Sequence, residues 1–271
     1  MNYRHIYHAG NFADVMKHLA LTLCLDYLLR KEKPICVIDA HAGIGRYDLA
    51  SEQAGKTLEW QDGIGRFERI QGVPDDFALY FAALKKDLKA QHYPGSPLIA
   101  ARMLRPFDRL IANELHPEDV GTLKENIGGF KNARIENRDA YECLRAHLPP
   151  KERRGLVLID PPFEKTDEFA TLIRQMQEWK KRWPGGVYLL WYPIKAHLAV
   201  ADLRTAAADL GLPDTWCFEC YKYPEGQPDT FNGSGLILFN APYTVPQRLE
   251  AICPVLKEKM NLFETRLFQL A

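Results

Sequence analysis

A short apolar run that ends on an acid and passes into a glycine turn occupies residues 35–45, which read ICVIDAHAGIG. Apolar, mostly β-branched residues in an unbroken run suit a strand that is buried on both faces of a parallel sheet. The acid is Asp39, and the small residues after it let a ligand approach the backbone closely. The stretch therefore predicts a buried strand followed by a ligand-binding turn, and a plain tight turn is the alternative interpretation.

Strands of the same kind recur along the chain and alternate with helical patterns. The predicted strands are 110–114, 133–136, 155–160 and 187–191, and the predicted helices include 13–30, 119–126 and 166–182. This alternation indicates an α/β fold with a mostly parallel, Rossmann-like sheet. Residues 216–223 and 235–240 resemble two strands joined by a loop rich in Pro, Gly and Asp, which predicts an antiparallel hairpin at the sheet edge.

The glycine turn and the next acidic strand end are unusually far apart. Glu114 lies 69 residues beyond Gly45, whereas doubly wound nucleotide-binding folds place this acid about 20 residues after the turn. The extra residues include a helical stretch at 75–89. We therefore predict a Rossmann-like domain built from residues 1–50 and 95–271, with a small helical subdomain inserted at 51–94.

Opposite charges cancel in this chain, which has 35 Lys and Arg residues and 35 Asp and Glu residues among its 271. No overall field therefore attracts nucleic acid, and contact with phosphates has to come from a local cluster of Lys and Arg. This balance argues against a general DNA-coating protein and is compatible with a selective enzyme.

The six cysteines lie mostly in apolar runs, where a free thiol behaves as a small hydrophobe. The N-terminus lacks the pattern of a secretory signal, and the longest apolar stretch, residues 19–29, is too short to span a bilayer. We therefore expect a cytoplasmic protein without disulfides and without a membrane partner.

The most informative tetrapeptide is Asp160-Pro161-Pro162-Phe163, at the end of an apolar strand, where open α/β sheets bind their ligands. The amino nitrogen of adenine is a poor nucleophile because its lone pair is delocalised into the ring. Asp160 and the Pro161 carbonyl would each accept one N–H and localise that lone pair toward a methyl donor. The prolines hold both acceptors in place, and Phe163 offers a face for an extruded base. A proline turn in which Asp160 caps the next helix is the alternative interpretation.

Three further positions suit S-adenosylmethionine, which carries no phosphate and needs no G-x-G-x-x-G turn. Gly43 lies in the turn, Glu114 is placed to accept from the ribose hydroxyls, and Asp139 is placed to accept from the adenine amine of the cofactor. A solvated acid or a helix cap is the alternative for both acids. The set of turn, Glu, Asp and Asp-Pro-Pro-Phe, in that order, is much more specific than any one member.

Aromatic and histidine residues without an amphipathic period crowd the first twelve positions, among them Tyr3 and His5. Such residues stack on bases and bond to their edges. The helix that follows carries Lys17 and His18 at adjacent positions. We therefore expect the N-terminal segment to fold over the active site and Tyr3 and His5 to contact substrate, while a disordered end is the alternative.

Six blocks of the chain resemble the bacterial large-subunit ribosomal RNA adenine-N6 methyltransferases of the RlmJ family. In order they are YRH (3–5), HAGNFADVMKH (8–18), YPGSP (93–97), ELHP (114–117), LIDPP (158–162) and LWYP (190–193). The N-terminal blocks and YPGSP are specific to this family rather than to methyltransferases at large. The likeness continues more weakly to the C-terminal hairpin.

The resemblance implies a role for each matching position. The cofactor pocket would be lined by Lys17, His18, His41, Ser96, Glu114, Asp139, Ala140 and Asp160, and the substrate adenosine would be contacted by Tyr3, His5 and Lys17. The inserted subdomain would recognise RNA, and the enzyme would act as a monomer, without metal, on protein-free 23S ribosomal RNA. Family members more often carry Tyr than Phe at position 163, so a hydroxyl contact would be missing here while ring stacking would remain.

Two other functions remain open at this level. A DNA adenine-N6 methyltransferase would use the same Asp-Pro-Pro-aromatic chemistry, and a non-catalytic RNA-binding protein would keep the same fold. The neutral charge and the N-terminal blocks favour RNA, and the intact Asp160 and glycine turn favour catalysis. A nicotinamide-dependent dehydrogenase is disfavoured because the phosphate-binding turn is missing.

Overall fold

The computed structural model describes residues 4–67, 74–164, 167–195, 197–224 and 231–271. The strands within these ranges are β1 (Cys36–Asp39), β2 (Arg46–Asp48), β3 (His92–Pro94), β4 (Arg109–Asn113), β5 (Ala133–Glu136), β6 (Gly155–Ile159), β7 (Val187–Ile194), β8 (Trp216–Tyr221), β9 (Gly233–Phe239) and β10 (Glu264–Gln269). The α-helices are α1 (Phe12–Leu29), α2 (Glu52–Thr57), α3 (Glu59–Asp62), α4 (Ala78–Leu88), α5 (Ser96–Met103), α6 (Pro117–Ile127), α7 (Ala140–His147), α8 (Glu168–Arg182), α9 (His197–Asp209) and α10 (Val245–Lys259).

Eight of these strands form the central sheet, in the order β10-β8-β9-β7-β6-β1-β4-β5. The pairs from β7 to β5 are all parallel, and the pairs that β9 makes with β7 and β8 are antiparallel. The predicted Rossmann-like sheet, mostly parallel with an antiparallel hairpin, is therefore confirmed. The hairpin lies inside the sheet edge, because β10 pairs with β8 as a further antiparallel strand that we did not predict.

Alternating residues of the strands bury two opposite faces of the sheet. Val37 packs in a core with α1, α5 and α10, while Cys36 and Ile38 pack in a second core with α7, α8 and α9. Successive side chains of a strand point to opposite faces, so the apolar run of β1 serves both cores. The six cysteines all lie in described residues, where they are buried and form no disulfide.

The segment that we predicted as an insertion is flanked by a small separate sheet. In it, β2 pairs with β3 antiparallel, with Tyr47 opposite Tyr93. Between them lie α2, α3 and α4. Phe77, Tyr80 and Leu84 of this segment are buried in the same core as α1. The division into two domains at 51–94 stays a prediction.

The parallel strands place their carboxyl ends at one edge of the sheet. The loops that follow β1, β4, β5 and β6 therefore lie side by side, and they carry residues 40–45, 114–116, 137–139 and 160–164. In the ranges that the structure describes, no helix is both long and apolar enough to cross a membrane.

Candidate active site

A cavity of about 1130 Å³, counted with its open mouth, lies at the carboxyl edge of the sheet. Its walls include the predicted site residues His5, Lys17, His18, His41, Gly43, Ser96, Glu114, Asp139, Ala140, Asp160 and Pro161. The structure therefore brings together residues that lie far apart in the chain. Phe163 is not among the lining residues, and Tyr3 lies outside the described residues.

Glycine is required in the turn after β1 for both conformational and steric reasons. Gly43 has a φ of 58° and Gly45 a φ of 76°, in the left-handed region that favours glycine. A Cβ atom at Gly43 would also collide with the hydroxyl of Tyr47. The turn thus leaves room at the cavity wall that any side chain would fill.

Backbone N–H groups orient the carboxylate of Glu114. The Gly43 N–H donates to Oε2 over 2.9 Å and the His116 N–H donates to Oε1 over 2.8 Å. Burial raises the pKa of Glu114, and these two donors oppose that rise. A carboxylate held in this way at a cavity wall suits recognition of two hydroxyl groups.

The third acid, Asp139, is the N-cap of α7. Its Oδ1 accepts from the backbone N–H groups of Tyr141 and Glu142, at 2.9 and 3.1 Å. The helix cap that we considered as the alternative is therefore present, and the residue also lines the cavity.

Sequence reasoning missed Asn113, the last residue of β4. Its side-chain amide donates to the carbonyls of Ala40 and Arg138, at 3.1 and 3.0 Å, which joins the loops after β1 and β5. Its Oδ1 is buried and has no hydrogen-bond partner within the described ranges, and the residue lines the cavity. Its place just before Glu114, at the end of an apolar strand, was the available signal.

The loop after β6 begins with a backbone hydrogen bond to a histidine. The Asp160 N–H donates to Nδ1 of His41 over 3.2 Å. Because Nδ1 accepts this bond, the neutral ring carries its proton on Nε2. Burial lowers the pKa of His41 to about 4, so the ring is neutral at pH 7.

A chain of buried charges links the start of α1 to this loop. Lys17 Nζ forms ion pairs with Oδ2 of Asp160 and, at 2.9 Å, with Oδ1 of Asp14. Oδ2 of Asp14 is bound by His5 Nε2 and by the Gly10 N–H, both at 2.9 Å. Asp14 is three residues before Lys17 and so lies on the same helix face, a spacing that sequence reasoning did not use.

Burial and charge act against each other in this chain of ions. Burial by itself lowers the pKa of Lys17, but the carboxylates of Asp14 and Asp160 outweigh it and raise that pKa. Burial by itself raises the pKa of Asp14, but the charges of His5 and Lys17 bring it well below its usual value. Both groups are therefore ionised at neutral pH.

His18 and Asp39 lie deeper than the other predicted positions. Nδ1 of His18 is 2.7 Å from the Tyr93 hydroxyl, which is 3.1 Å from the Tyr80 hydroxyl of α4. Burial lowers the pKa of His18 to about 3, so this ring is neutral. Burial raises the pKa of Asp39 to about 7, an effect that Ser96 opposes.

The ring of Phe163 packs into an aromatic cluster beside the cavity. Its centre is 5.1 Å from that of Phe169 and 5.6 Å from that of Trp191, with the latter pair edge to face. The residue has a φ of 51°. Trp191 is also close to the ion network, since Lys17 Nζ is 5.9 Å from its ring centre.

The N-terminal segment lies over the cavity. The Arg4 guanidinium donates to Asp119 over 2.7 Å and to Glu118 over 3.1 Å, which ties the segment to α6. The His5 ring lines the cavity and meets Tyr47 edge to face, with centroids 5.2 Å apart. From Arg4 onward the segment is thus folded against the site.

In the described part of the chain, one cluster of potential metal ligands is found, formed by Glu136, Cys143 and His147. Arg134 and Arg138 form ion pairs with the same Glu136 carboxylate, at 2.7 and 2.8 Å. These two cations neutralise the carboxylate without a metal ion.

Comparison with known proteins identifies the family. The family model described as "Ribosomal RNA large subunit methyltransferase D, RlmJ" matches residues 32–266. The chain belongs to the RlmJ family. Membership confirms the predicted family, the methyltransferase class and the use of S-adenosylmethionine.

Relatives of the RlmJ family match almost the whole chain. The large-subunit ribosomal RNA methyltransferase J of Haemophilus influenzae is 37% identical over 264 residues, which cover 96% of this chain and 94% of the relative. Its namesake in Escherichia coli is 36% identical over 263 residues, with the same coverage. The crystal structure of protein LPL1258 from Legionella pneumophila is 30% identical, with a TM-score of 0.89, and covers 96% of this chain and 97% of that one.

Proposed function

We propose that this RlmJ-family chain methylates the exocyclic N6 amine of an adenine in 23S ribosomal RNA, with S-adenosylmethionine as the methyl donor. The observation that carries the proposal is the position of Asp160 and Pro161. Both lie at the carboxyl end of β6, in the same cavity as Gly43 and Glu114. Two acceptors for an amine therefore face a site with the features of a cofactor pocket.

The residues after β1, β4 and β5 fit the cofactor. The left-handed glycine turn leaves space at Gly43, and Glu114 presents an oriented carboxylate to the ribose hydroxyls. Asp139 and Ala140 lie at the N-terminus of α7, where they would contact the adenine ring of the cofactor. Lys17, His18, His41 and Ser96 would complete the pocket. When bound, S-adenosylmethionine supplies a methyl group activated by its sulfonium sulfur.

Asp160 and Pro161 would bind the target amine. Lys17 occupies Oδ2 of Asp160, so among the contacts of the described residues Oδ1 is the atom left to accept one N–H of adenine. The Pro161 carbonyl would accept the other N–H, and the two bonds would turn the nitrogen lone pair toward the methyl group. Lys17 holds the carboxylate in position, and Oδ1 would then take the proton that the amine releases.

Phe163 and the N-terminal segment would hold the extruded base. The Phe163 ring, backed by Trp191 and Phe169, extends the aromatic surface next to the catalytic loop. Stacking on one aromatic side chain is worth about 1–3 kcal/mol per base. His5, which lines the cavity, would contact the base. The family resemblance adds Tyr3, which lies outside the described residues, as a second contact.

The preferred substrate would be protein-free 23S ribosomal RNA, and the enzyme would act as a cytoplasmic monomer. Extruding a base costs the least when it is not already held by pairing or by bound proteins. The described segment between β2 and β3 would form part of the RNA-recognition surface.

Methyl transfer from radiolabelled cofactor tests the proposal on three substrates: protein-free 23S ribosomal RNA, assembled large subunits and duplex DNA. We expect incorporation into the free RNA, recovered after digestion as N6-methyladenosine. Methylation of the DNA alone would overturn the proposal in favour of the DNA enzyme. Binding of the RNA without any transfer would favour a non-catalytic protein.

A further inference from the structure

Two lysines at the carboxyl edge of the sheet take no part in the site described above. Lys195 follows β7 directly and is exposed, and Lys222 follows β8 directly and is half-buried. Within the described ranges, neither ammonium group forms an ion pair with a carboxylate within 4.0 Å, although the charge of Lys222 contributes to lowering the pKa of Glu59. Both strands end at the edge of the sheet that carries the cavity. These two cations therefore lie beside the part of the cavity that contains Asp160.

Aromatic rings hold both ammonium groups. Lys195 Nζ lies 5.9 Å from the centre of the Phe231 ring, and Lys222 Nζ lies 4.9 Å from the centre of the Phe12 ring. The two rings contact each other, with centroids 5.4 Å apart. The two charges therefore lie over one continuous aromatic pair. We name Lys195, Phe231, Phe12 and Lys222 the lysine rim.

The lysine rim is close to the ion network of the site along two routes. Phe12 begins α1, and Lys17 follows five residues later, roughly 7.5 Å along a helix. Trp191, whose ring is 5.9 Å from Lys17 Nζ, precedes Lys195 by four residues. Four residues of extended chain span roughly 13 Å. The rim is thus within reach of nucleotides adjacent to one that enters the cavity.

Acids dominate the walls of the cavity itself. Besides Asp160, the lining carboxylates belong to Glu114, Asp119, Asp139, Glu164 and Glu168. A phosphate backbone is repelled from such a mouth, and the chain has no net charge to attract it from a distance. Cations beside the mouth of the cavity are then needed to bind the phosphate backbone and keep the strand positioned at the site.

We propose that the lysine rim binds the phosphodiester backbone of the RNA strand next to the target adenine. The inference rests on the proposed function, and it assigns a second contact to the same substrate. Lysine ammonium groups neutralise phosphates as point charges and release counterions, without reading base identity. The rim therefore anchors the strand while Asp160 and Phe163 act on the extruded base.

The test is the salt dependence of RNA binding by full-length protein in which Lys195→Gln and Lys222→Gln are combined. The probe is protein-free 23S ribosomal RNA, and affinity is measured across a KCl series. Each phosphate contact on a single strand contributes about 0.7 to the slope of log K against log salt. We expect the slope to fall by about 1.4 and KM for the RNA to rise about tenfold. The kcat and the affinity for the cofactor should stay unchanged.

The matched control combines Lys31→Gln and Lys33→Gln, which remove the same charge at the opposite edge of the sheet, before β1. This pair should leave the slope and KM as in the unmodified protein. The Lys195→Arg, Lys222→Arg pair keeps the charge and should restore both. Equal slopes for the two glutamine pairs would overturn the proposal.

Failure of the rim and failure of the proposed function give different results. If the unmodified protein transfers no methyl group to ribosomal RNA, the proposed function is wrong whatever the lysines do. If it transfers the methyl group normally and the rim variant binds with an unchanged slope, only the rim assignment is wrong.

Discussion

The cofactor side and the target side of the cavity are held by different kinds of contact. On the cofactor side, backbone N–H groups of Gly43 and His116 orient Glu114, in loops fixed by parallel strand ends. On the target side, side-chain charges of Asp14, Lys17 and Asp160 hold one another across two elements.

This difference predicts where each side is vulnerable. A backbone N–H group is kept in almost any substitution. Cofactor binding should therefore be weakened mainly by substitutions that remove an acceptor carboxylate or add a side chain to the turn. A buried ion that loses its partner is left uncompensated, which costs about 3–5 kcal/mol. Single substitutions should therefore have larger effects on the target side.

The largest expected effect is that of Asp160→Ala, which removes the acceptor for the target amine. Turnover should fall at least about a thousandfold, or about 4 kcal/mol of transition-state stabilisation. Affinity for the cofactor should stay within about tenfold, or about 1.4 kcal/mol. Calorimetric titration with the cofactor, together with a turnover assay, measures both quantities.

Glu114→Gln is the matched control on the cofactor side. It should weaken cofactor binding and leave turnover at saturating cofactor much less affected. Retained turnover in Asp160→Ala would refute the catalytic role, and the same loss pattern in both variants would erase the distinction between the two sides.

Asp14→Asn tests whether the buried charges stabilise the fold. We expect the free energy of unfolding at pH 7 to fall by roughly 3 kcal/mol, because Lys17 and His5 lose a charged partner. The pKa of Asp14 is lowered in the folded protein, so its contribution is present above the unfolded pKa of about 3.9. That contribution is lost as the pH falls toward the folded pKa.

Urea unfolding at several pH values provides the measurement. Below about pH 4 the unmodified protein should lose stability more steeply than Asp14→Asn. Asp62→Asn, which disrupts an exposed pair with Arg66, is the control and should follow the unmodified curve. Parallel curves for all three proteins would show that the buried network carries no pH-dependent stability.

Substitutions of Phe163 test whether its ring stacks on the target base or only packs within the protein. If the ring stacks on the base, Phe163→Tyr keeps most activity, while Phe163→Leu loses about 1–3 kcal/mol, a factor of roughly 5 to 150 in turnover. Single-turnover kinetics on the free RNA measure the difference. Equal rates for the two variants would mean that the ring only packs on Trp191 and Phe169.

The smallest expected effect is that of Gly43→Ala on the cofactor side. A left-handed alanine costs about 1–2 kcal/mol, and its Cβ would push against Tyr47. Cofactor affinity should fall about tenfold, as measured by calorimetry. Gly121→Ala, in open space on α6, is the control; it should stabilise the helix slightly and leave affinity unchanged. If Gly43→Ala binds the cofactor with unchanged affinity, the turn can accommodate a Cβ atom and glycine is not required there.

Much of the fold could be predicted because it follows from local patterns. The run at residues 35–39 and the run at 155–159 are apolar and short, and they suit only buried strands. β10 was missed because its residues, ETRLFQ, mix polar and apolar types and are only half-buried. An edge strand of this kind is defined by its neighbour β8 rather than by its own period.

The sequence by itself determined the order of strands and helices and which acids follow strand ends, because hydrophobic period and turn residues act over a few positions. Since parallel strands share an edge, that order also predicted a common cavity. Only the tertiary structure decided which charges meet. Lys17 and Asp160 are 143 residues apart, and Arg4 reaches Asp119 across 115. Such pairs depend on how α1 and the N-terminal segment pack on the sheet, and no local pattern specifies that packing.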